Sequence, residues 1–232
     1  HPLACPDTPE LPQVDDLLPA AAELIERHGL PWLRDAITVG QYHHPDGLHY
    51  GGERTEESNR VLEEVLAPFL RSTTAALVID LHTGHGPRGE VTFLSDQPPG
   101  SPQDRCFREL VRADRVEATI DNPAATTGAK SGQIANGARE LAGGTCWSTS
   151  VEFGTADDLA QLTATLQEQW VHRRGDRSRP EHAAVARAYR ACFTPDDPEW
   201  EQLATERGSA HLDRCLDALG RLSAEAPGAT ST

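Results

Sequence analysis

Methionine is absent from all 232 residues, and the chain begins with His1-Pro2. Because a primary translation product starts with methionine, we expect these residues to be the C-terminal portion of a longer protein. No apolar run approaches the roughly 18 residues that a membrane-spanning helix needs. The first residues also lack the basic and apolar segments of a signal peptide. The sequence therefore predicts neither a membrane span nor a secretory signal.

Basic residues are also scarce, with 21 lysines and arginines against 36 acidic residues and a formal charge of -15. Such a charge repels phosphate backbones and anionic lipid surfaces, so we expect no nucleic-acid and no membrane partner. The five cysteines include no Cys-x-x-Cys pair, which argues against a zinc ribbon or a disulfide framework. Cys192 and Cys215 lie in apolar helical patterns, where reduced cysteine packs as a small hydrophobe. We expect a cytoplasmic protein.

The apolar pattern predicts one α/β domain over residues 1–232, with a disordered tail at 224–232. Its strongest segment is the continuous apolar run at 75–84, which predicts a central strand buried on both faces. A second strand is predicted at 145–153, where β-branched and aromatic residues are frequent. Weaker patterns predict strands at 36–39 and 116–120, and helices from near Pro19, after Thr55, at 103–112, at 134–141 and in three segments after residue 155.

The first candidate site lies at the end of the 75–84 strand, in the sequence Asp80-Leu81-His82-Thr83-Gly84. Side chains alternate along a strand, so Asp80 and His82 share one face. A histidine at a strand end with a carboxylate nearby fits a metal ligand whose ring is oriented by that carboxylate. The alternative is a partly buried histidine that is satisfied by hydrogen bonds.

The second candidate is Glu152, which stands between Val151 and Phe153 in the other strong strand. A carboxylate in an apolar strand is costly to bury unless its charge is used or compensated. Action as a general base beside a metal is one such use. A glutamate that faces solvent or pairs with an arginine is the alternative.

A polar loop after residue 40 holds His43, His44 and His49. His44 and His49 are not at a recognised spacing for metal ligands. We therefore interpret these histidines, and His85 with them, as hydrogen-bonding residues of a pocket rather than as metal ligands.

Four segments occur in a specific order: Gly40-Gln41-Tyr42-His43-His44-Pro45-Asp46-Gly47-Leu48-His49-Tyr50-Gly51-Gly52, then Ser58-Asn59-Arg60, then Ile79-Asp80-Leu81-His82-Thr83-Gly84-His85-Gly86-Pro87, then Val151-Glu152-Phe153-Gly154-Thr155. Together they resemble a bacterial metallocarboxypeptidase-like branch of the zinc carboxypeptidase superfamily, which also contains aspartoacylase-like deacylases. The resemblance covers essentially the whole chain. It implies a mixed, mostly parallel sheet flanked by helices, with zinc at its edge, in a hydrolase that cleaves amide bonds.

The resemblance also implies roles for individual residues. His82 matches a zinc ligand, and Glu152 matches the carboxylate that activates the zinc-bound water and passes its proton to the leaving nitrogen. A small peptide or acyl-amino-acid substrate would lie in a cleft walled by the loop at 42–52 and by Thr83, Tyr50, His44, Asn59 and Arg60. For Arg60 two roles stay open, since it can bind a substrate carboxylate or form an ion pair on a helix surface.

One part of that site has no counterpart in this sequence. The superfamily's zinc is also held by a His-x-x-Glu motif, and this spacing occurs nowhere in the 232 residues. One ligand cannot make a zinc site. We therefore expect the other ligands to come from a preceding segment, on the same or a second polypeptide, and the sheet to be incomplete here. Two alternatives stay open: a catalytically inactive relative that binds a partner or small ligand, and a fragment that pairs through open sheet edges.

Overall fold

The sheet is built around the two segments that have the strongest strand pattern. In the computed structural model, which describes residues 8–120, 122 and 132–225, the strands are β1 (Ala75–Gly84), β2 (Val91–Ser95), β3 (Val116–Ala118) and β4 (Thr145–Gly154). β1 and β4 pair in parallel over their full length. β2 pairs with β4 in antiparallel and with β3 in parallel, so the order is β1-β4-β2-β3. The predicted α/β class, with a mixed and mostly parallel sheet, is confirmed.

Helices flank this open sheet. Those of the described residues are α1 (Val14–His28), α2 (Leu30–Thr38), α3 (Glu57–Ser72), α4 (Pro102–Val111), α5 (Ile134–Glu140), α6 (Asp158–Arg174), α7 (Pro180–Phe193) and α8 (Pro198–Glu225). Ser101 caps α4 and Asp157 caps α6, each by accepting a hydrogen bond from the backbone of the first turn. In the described part of the chain, no helix combines the length and apolar character that a membrane crossing requires.

The main core lies on one side of the sheet. Side chains alternate along each strand, and one set is apolar. Buried Phe93 of β2 and Val151 of β4 pack there with Phe107 of α4 and Cys215 of α8. We call this side the apolar face; its other strand residues are Leu77, Ile79, Val91, Val116, Trp147 and Phe153. The apolar face packs the strands against α4 and α8. The alternate side chains of each strand therefore point to the opposite side of the sheet.

Three sequence-based predictions about the N-terminal elements are wrong in detail. The segment at 36–39 is not a strand, because Pro31 opens a short helix, α2, which packs against α1 and buries Leu33. The first helix starts at Val14, so Pro19 lies inside it. Glu56 rather than Thr55 occupies the N-cap of α3, without a capping hydrogen bond from its side chain.

The position of β1 also differs from the prediction. β1 is an edge strand of the described sheet, whereas the sequence predicts a central strand. The β4 and β2 strands occupy the centre, and β2, whose five residues are all buried, is not predicted from the sequence. Leu81 near the end of β1 is 59% exposed. A strand needs an apolar sequence wherever helices cover it, whether it is central or at an edge. An apolar run therefore does not specify the position of a strand in its sheet.

The C-terminal end of the chain is more regular than predicted. Helix α8 continues to Glu225, so the first two residues of the predicted tail are helical. Residues 226–232 lie outside the described residues. The three closing helices, α4, α5, β3 and β4 all occur where the sequence predicts them, within a few residues.

Candidate functional site

The side of the sheet opposite the core carries polar side chains. We call it the polar face; its members are Asp80 and His82 of β1, Thr92 of β2, Glu117 of β3, and Ser148, Ser150 and Glu152 of β4. The register aligns them: Asp80 pairs with Ser150, His82 with Glu152, Glu152 with Thr92, and Leu94 with both Ser150 and Glu117. Paired residues on neighbouring strands point to the same side. The alternation that buries one set of side chains therefore collects the polar set on one surface.

His82 and Glu152 are direct partners across β1 and β4. Neighbouring strands are about 5 Å apart, so the two side chains start from adjacent positions on one face. The register therefore places His82 and Glu152 side by side at the ends of neighbouring strands. Their chemical roles stay a prediction.

Asp80 fixes one nitrogen of the His82 ring. Its Oδ2 lies 2.8 Å from His82 Nε2, and the His82 side chain remains 43% exposed. A carboxylate that accepts a hydrogen bond from Nε2 sets the tautomer and leaves Nδ1 as the atom with a free lone pair. A carboxylate can support a metal-binding histidine in this arrangement, and a histidine that is merely satisfied by hydrogen bonds fits it as well. The supporting role of Asp80 stays a prediction.

The connection from β1 to β2 folds tightly over the end of β4. The backbone N–H groups of Gly89 and Gly154 donate to Gly154 O and Glu90 O, both at 3.0 Å. A Cβ at Gly154 would lie 2.0 Å from Pro87 O, so only glycine permits this approach. Gly86, at a positive φ of 97°, passes close to Thr92 on β2. The connection thereby brings His85, which follows β1, across the sheet toward β3 at its other edge.

His85 forms a second histidine–carboxylate pair with Glu117 of β3. Its Nε2 lies 2.9 Å from Glu117 Oε2, and both side chains are largely buried. The hydrogen bond to Glu117 raises the pKa of His85 above its usual range, although burial opposes the change. The negative charges of Glu117, Glu152 and Asp158 add to the rise in pKa. The polar face thus has an imidazole–carboxylate pair at each side and Glu152 between them.

Three buried hydroxyl groups of the polar face have no hydrogen-bond partner among the residues that the structure describes. They belong to Thr92, Ser148 and Ser150, and Thr92 is 0% exposed. Thr149, whose side chain points to the opposite side, instead donates to Leu94 O at 2.8 Å. A buried unpaired hydroxyl costs about 1–3 kcal/mol. The polar face therefore carries polar groups that the described residues do not satisfy.

The end of β1 is anchored to α6. Gly84 O accepts hydrogen bonds from Gln161 Nε2 at 2.9 Å and from the Thr155 backbone and hydroxyl at 3.3 Å. Trp200 of α8 donates from Nε1 to Gly154 O at 2.8 Å and so fixes the end of β4. These contacts hold the two strand ends that carry His82 and Glu152.

The chain belongs to a family described as protein of unknown function (DUF2817). The family model matches residues 1–207. No curated protein and no solved structure matches the chain. The match covers all four strands and the polar face of this DUF2817 member.

The other predicted substrate-binding residues lie at several places in this DUF2817 chain. Thr83 is exposed and, by strand alternation, points to the side opposite His82. Asn59 of α3 lines a groove against α5, and Arg60 is exposed on α3. The structure therefore does not bring Thr83 together with His82, and it places Arg60 on a helix surface.

The loop at 42–52 is held against α6. Gln169 Nε2 donates to Asp46 O at 2.9 Å, and Arg173 forms an ion pair with Asp46 at 2.6 Å. Gln169 is eight residues beyond Gln161, which is about 12 Å along a helix. Within the loop, Gln41 binds the exposed His44 backbone, and half-buried Tyr50 forms an isolated β-bridge with Gln41. That this loop walls the site stays a prediction.

A complete metal centre does not exist within the described residues. They contain no group of three or more histidine, cysteine, aspartate or glutamate side chains arranged to hold a metal ion. His82 with Asp80 offers one oriented nitrogen, where a zinc site needs three or four protein ligands. The described residues therefore supply one of the ligands that a zinc site needs.

Sequence reasoning did not identify Thr92 and Glu117 and gave His85 only a minor role. A usable signal exists for Glu117, which stands between Val116 and Ala118 as Glu152 stands between Val151 and Phe153. The pairing of His85 with Glu117 joins positions 32 residues apart. No local spacing indicates such a pair, because it depends on the tight connection over β4.

Proposed function

We propose that this protein is a zinc-dependent hydrolase of amide bonds, of the carboxypeptidase or N-acyl-amino-acid deacylase type. The single observation that carries the proposal is the direct pairing of His82 with Glu152 on the polar face, with Asp80 bound to the far nitrogen of the His82 ring. One strand thus offers an oriented metal ligand, and the next offers a carboxylate beside it. When bound, zinc would supply Lewis-acid polarisation of the scissile carbonyl.

Each residue of this group has a separate task in the proposal. Asp80 holds the His82 ring and keeps Nδ1 available. Glu152 is the general base that accepts a proton from the attacking water and returns it to the leaving nitrogen. Glu152 is half-buried, and an electrostatic interaction with a nearby cation is stronger at such a position than in bulk water. The substrate is a small peptide or an acyl-amino acid.

The remaining zinc ligands must come from outside the described residues. The open edge of β1 gives them a route, because no described strand covers the side of β1 next to His82. An edge strand offers unpaired backbone groups that a further strand can pair with. We propose that a polypeptide segment with a His-x-x-Glu pair docks at this edge and completes the site.

A second candidate function is a binding module without catalysis. Two observations favour it: the described residues hold no three-donor group, and His-x-x-Glu spacing does not occur in the sequence. In that case the polar face binds a small ligand or a partner through its histidine–carboxylate pairs. The two candidates differ in whether added ligands restore metal binding.

The cytoplasm is the location we propose for this activity. Cys106, Cys146, Cys192 and Cys215 are all free thiols. Burial raises the pKa values of Cys146, Cys192 and Cys215, which keeps these thiols protonated and unreactive. A reducing compartment suits such cysteines.

The test is reconstitution with intact-mass analysis. The chain is purified alone and also with any co-purifying or co-expressed polypeptide that has a His-x-x-Glu pair, and zinc is measured per complex. We expect about one zinc per complete complex, together with hydrolysis of N-acetyl-amino acids or dipeptides. In that complex Glu152→Gln should keep zinc and lose most turnover, whereas His82→Ala should lose both. Absence of zinc in the complete complex would favour the binding module.

A further inference from the structure

A groove of about 410 Å³ runs along β3, at the sheet edge opposite β1. Its charged lining residues within the described chain are Arg108, Arg115 and Glu117, and Val116 and Ala118 of β3 form its apolar part. Glu117 is also a member of the polar face, so the groove borders the candidate site. Clefts that combine apolar surface with a few polar groups are the usual place for small ligands. The groove therefore extends the polar face past its last described strand.

Arg115 continues the row of polar-face side chains that contains Glu152. It directly precedes β3, and its carbonyl oxygen accepts a hydrogen bond from Phe93 N at 3.0 Å, so the ladder between β2 and β3 reaches it. The next residue, Val116, pairs with Phe93. Arg115 is therefore the neighbour of Thr92 in the register, and Thr92 pairs with Glu152. Since side chains alternate along a strand, Arg115 lies on the side of the polar face, and two strand spacings, about 10 Å, separate its backbone from that of Glu152.

The charges that line the groove are compensated except for that of Arg115. Arg108 forms an ion pair with Asp104 at 3.0 Å, and Glu117 is bound to His85 at 2.9 Å. The hydrogen bond to Glu117 raises the pKa of His85, which favours a charged imidazolium beside that carboxylate. Among the residues that the structure describes, none forms an ion pair or a hydrogen bond with the exposed Arg115 side chain. The groove therefore offers an anion one guanidinium group, in a chain whose formal charge is -15.

We propose that Arg115 binds a free carboxylate group of the substrate in this groove and so selects anionic substrates. The proposal rests on the hydrolase function proposed above, and it makes acyl-amino acids and peptides with a free carboxylate the substrate class. A guanidinium group binds a carboxylate through two parallel N–H···O hydrogen bonds. The task is the one that the sequence analysis considers for Arg60, which the structure places on the surface of α3.

The distance between Arg115 and Glu152 suits a small substrate. An extended residue spans about 3.5 Å. The separation of about 10 Å between the two backbones, which both side chains shorten, therefore fits a carboxylate within one or two residues of an amide at Glu152. Substrates without a carboxylate at this distance lose the contact with Arg115, so the groove determines specificity without taking part in the chemistry at Glu152.

The experiment measures binding rather than turnover, on the zinc-free 232-residue chain. The probe is N-acetyl-L-alanine, and the readout is an NMR titration of the backbone amide and arginine Nε–H signals. N-acetyl-L-alanine methylamide has nearly the same body without the charge and serves as the comparison ligand. We expect saturable shifts of the Arg115 Nε–H signal and of the β3 amides with the acid. The methylamide should bind about tenfold more weakly, because it loses a hydrogen bond between charged groups.

Two variants assign the binding to one arginine. Arg115→Gln should weaken the binding of N-acetyl-L-alanine by about tenfold and leave that of the methylamide unchanged. Arg71→Gln makes the same change at an exposed arginine of α3, outside the groove, and should bind the acid as the wild type does. If Arg115→Gln fails to fold, the shift map of the wild type and its ratio of acid to methylamide affinity decide.

Four outcomes would overturn the proposal: no saturable binding of the acid, equal affinities for acid and methylamide, undiminished binding of the acid by Arg115→Gln, or wild-type shifts centred outside the groove. Inorganic phosphate that binds at Arg115 as tightly as the acid would overturn the selectivity for carboxylates. None of these measurements involves zinc. A failure to bind zinc in the complete complex would therefore contradict the hydrolase function and leave the carboxylate site at Arg115 in place.

Discussion

The two faces of the sheet differ in how well their side chains are packed and hydrogen-bonded by the rest of the described chain. On the apolar face, Phe93 and Val151 pack against α4 and α8, and even its polar member Thr149 has a hydrogen-bond acceptor. On the polar face, three buried hydroxyls lack a partner within the described part of the chain, and two histidine–carboxylate pairs flank Glu152. The same strands build both faces, residue by residue in alternation. The difference indicates that the apolar face contributes most of the packing, and we propose that the other face is kept polar for binding or chemistry.

The largest expected effect comes from a truncation in the apolar face. Phe93 is 1% exposed and central to the core. Phe93→Ala removes its contacts and leaves a cavity, so the free energy of unfolding should fall by about 3–5 kcal/mol. The matched change on the polar face, Glu152→Gln, should alter it by less than about 1 kcal/mol. Urea or guanidinium unfolding of both variants measures the two values. Equal losses of stability in the two variants would contradict the claim that the apolar face stabilises the fold more than the polar face does.

A second comparison uses the same substitution on each face. Thr149→Val removes a buried hydroxyl that donates to Leu94 O and leaves that carbonyl with less hydrogen bonding, so it should cost about 1–2 kcal/mol. Thr92→Val removes a hydroxyl for which the described residues provide no partner, so it should be neutral or stabilising by about 1 kcal/mol. Both changes conserve shape, and chemical denaturation again provides the values. A clear loss of stability in Thr92→Val would mean that its hydroxyl binds an ordered water or another group.

The smallest expected effect is a difference in pH dependence between the two faces. The pKa of His85 is raised in the folded state, so its pairing with Glu117 stabilises fully below pH of about 6.5 and is lost as the pH rises through the folded-state pKa. The pKa of His211 is lowered, so the folded state loses stability as the pH falls below about 6.5.

Two variants separate these opposite slopes. Glu117→Gln should flatten the decline toward high pH, and His211→Phe should flatten the decline toward low pH. Unfolding free energies at several pH values, with NMR titration of the two imidazoles, provide the measurement. A His85 titration at its ordinary pKa in the wild type would remove the basis for the first slope.

The sequence predicts the apolar face better than the sheet order. The strands at 75–84 and 145–153 and most helices follow from apolar periodicity, since each element buries its own stripe. The segment at 36–39 has β-branched residues typical of strands, yet a proline-initiated helix packed on α1 outweighs that weak preference. Strand β2 is short and buried on both sides, so it shows no alternation. Which strand lies at the edge depends on long-range pairing, which local patterns do not contain.

The candidate site is predicted where it depends on one strand or on register. Asp80 and His82 share a face because they are two residues apart, and Glu152 stands out because it interrupts an apolar run. The pair of His85 with Glu117 could not be predicted, because the glycines at 84, 86 and 89, all at positive φ, let the connection turn across the sheet. Neither could the placement of the loop at 42–52, which depends on contacts with α6.

The most direct test of the central claim is the zinc affinity of the 232-residue chain, measured by competition with a chromophoric chelator. The account predicts weak binding, because His82 is a single oriented ligand. It also predicts that His82→Ala weakens this binding further, while Glu152→Gln changes it little. Tight stoichiometric zinc binding by this chain alone, or weak binding that His82→Ala leaves unchanged, would contradict the assignment of His82 as the metal ligand of an incomplete site.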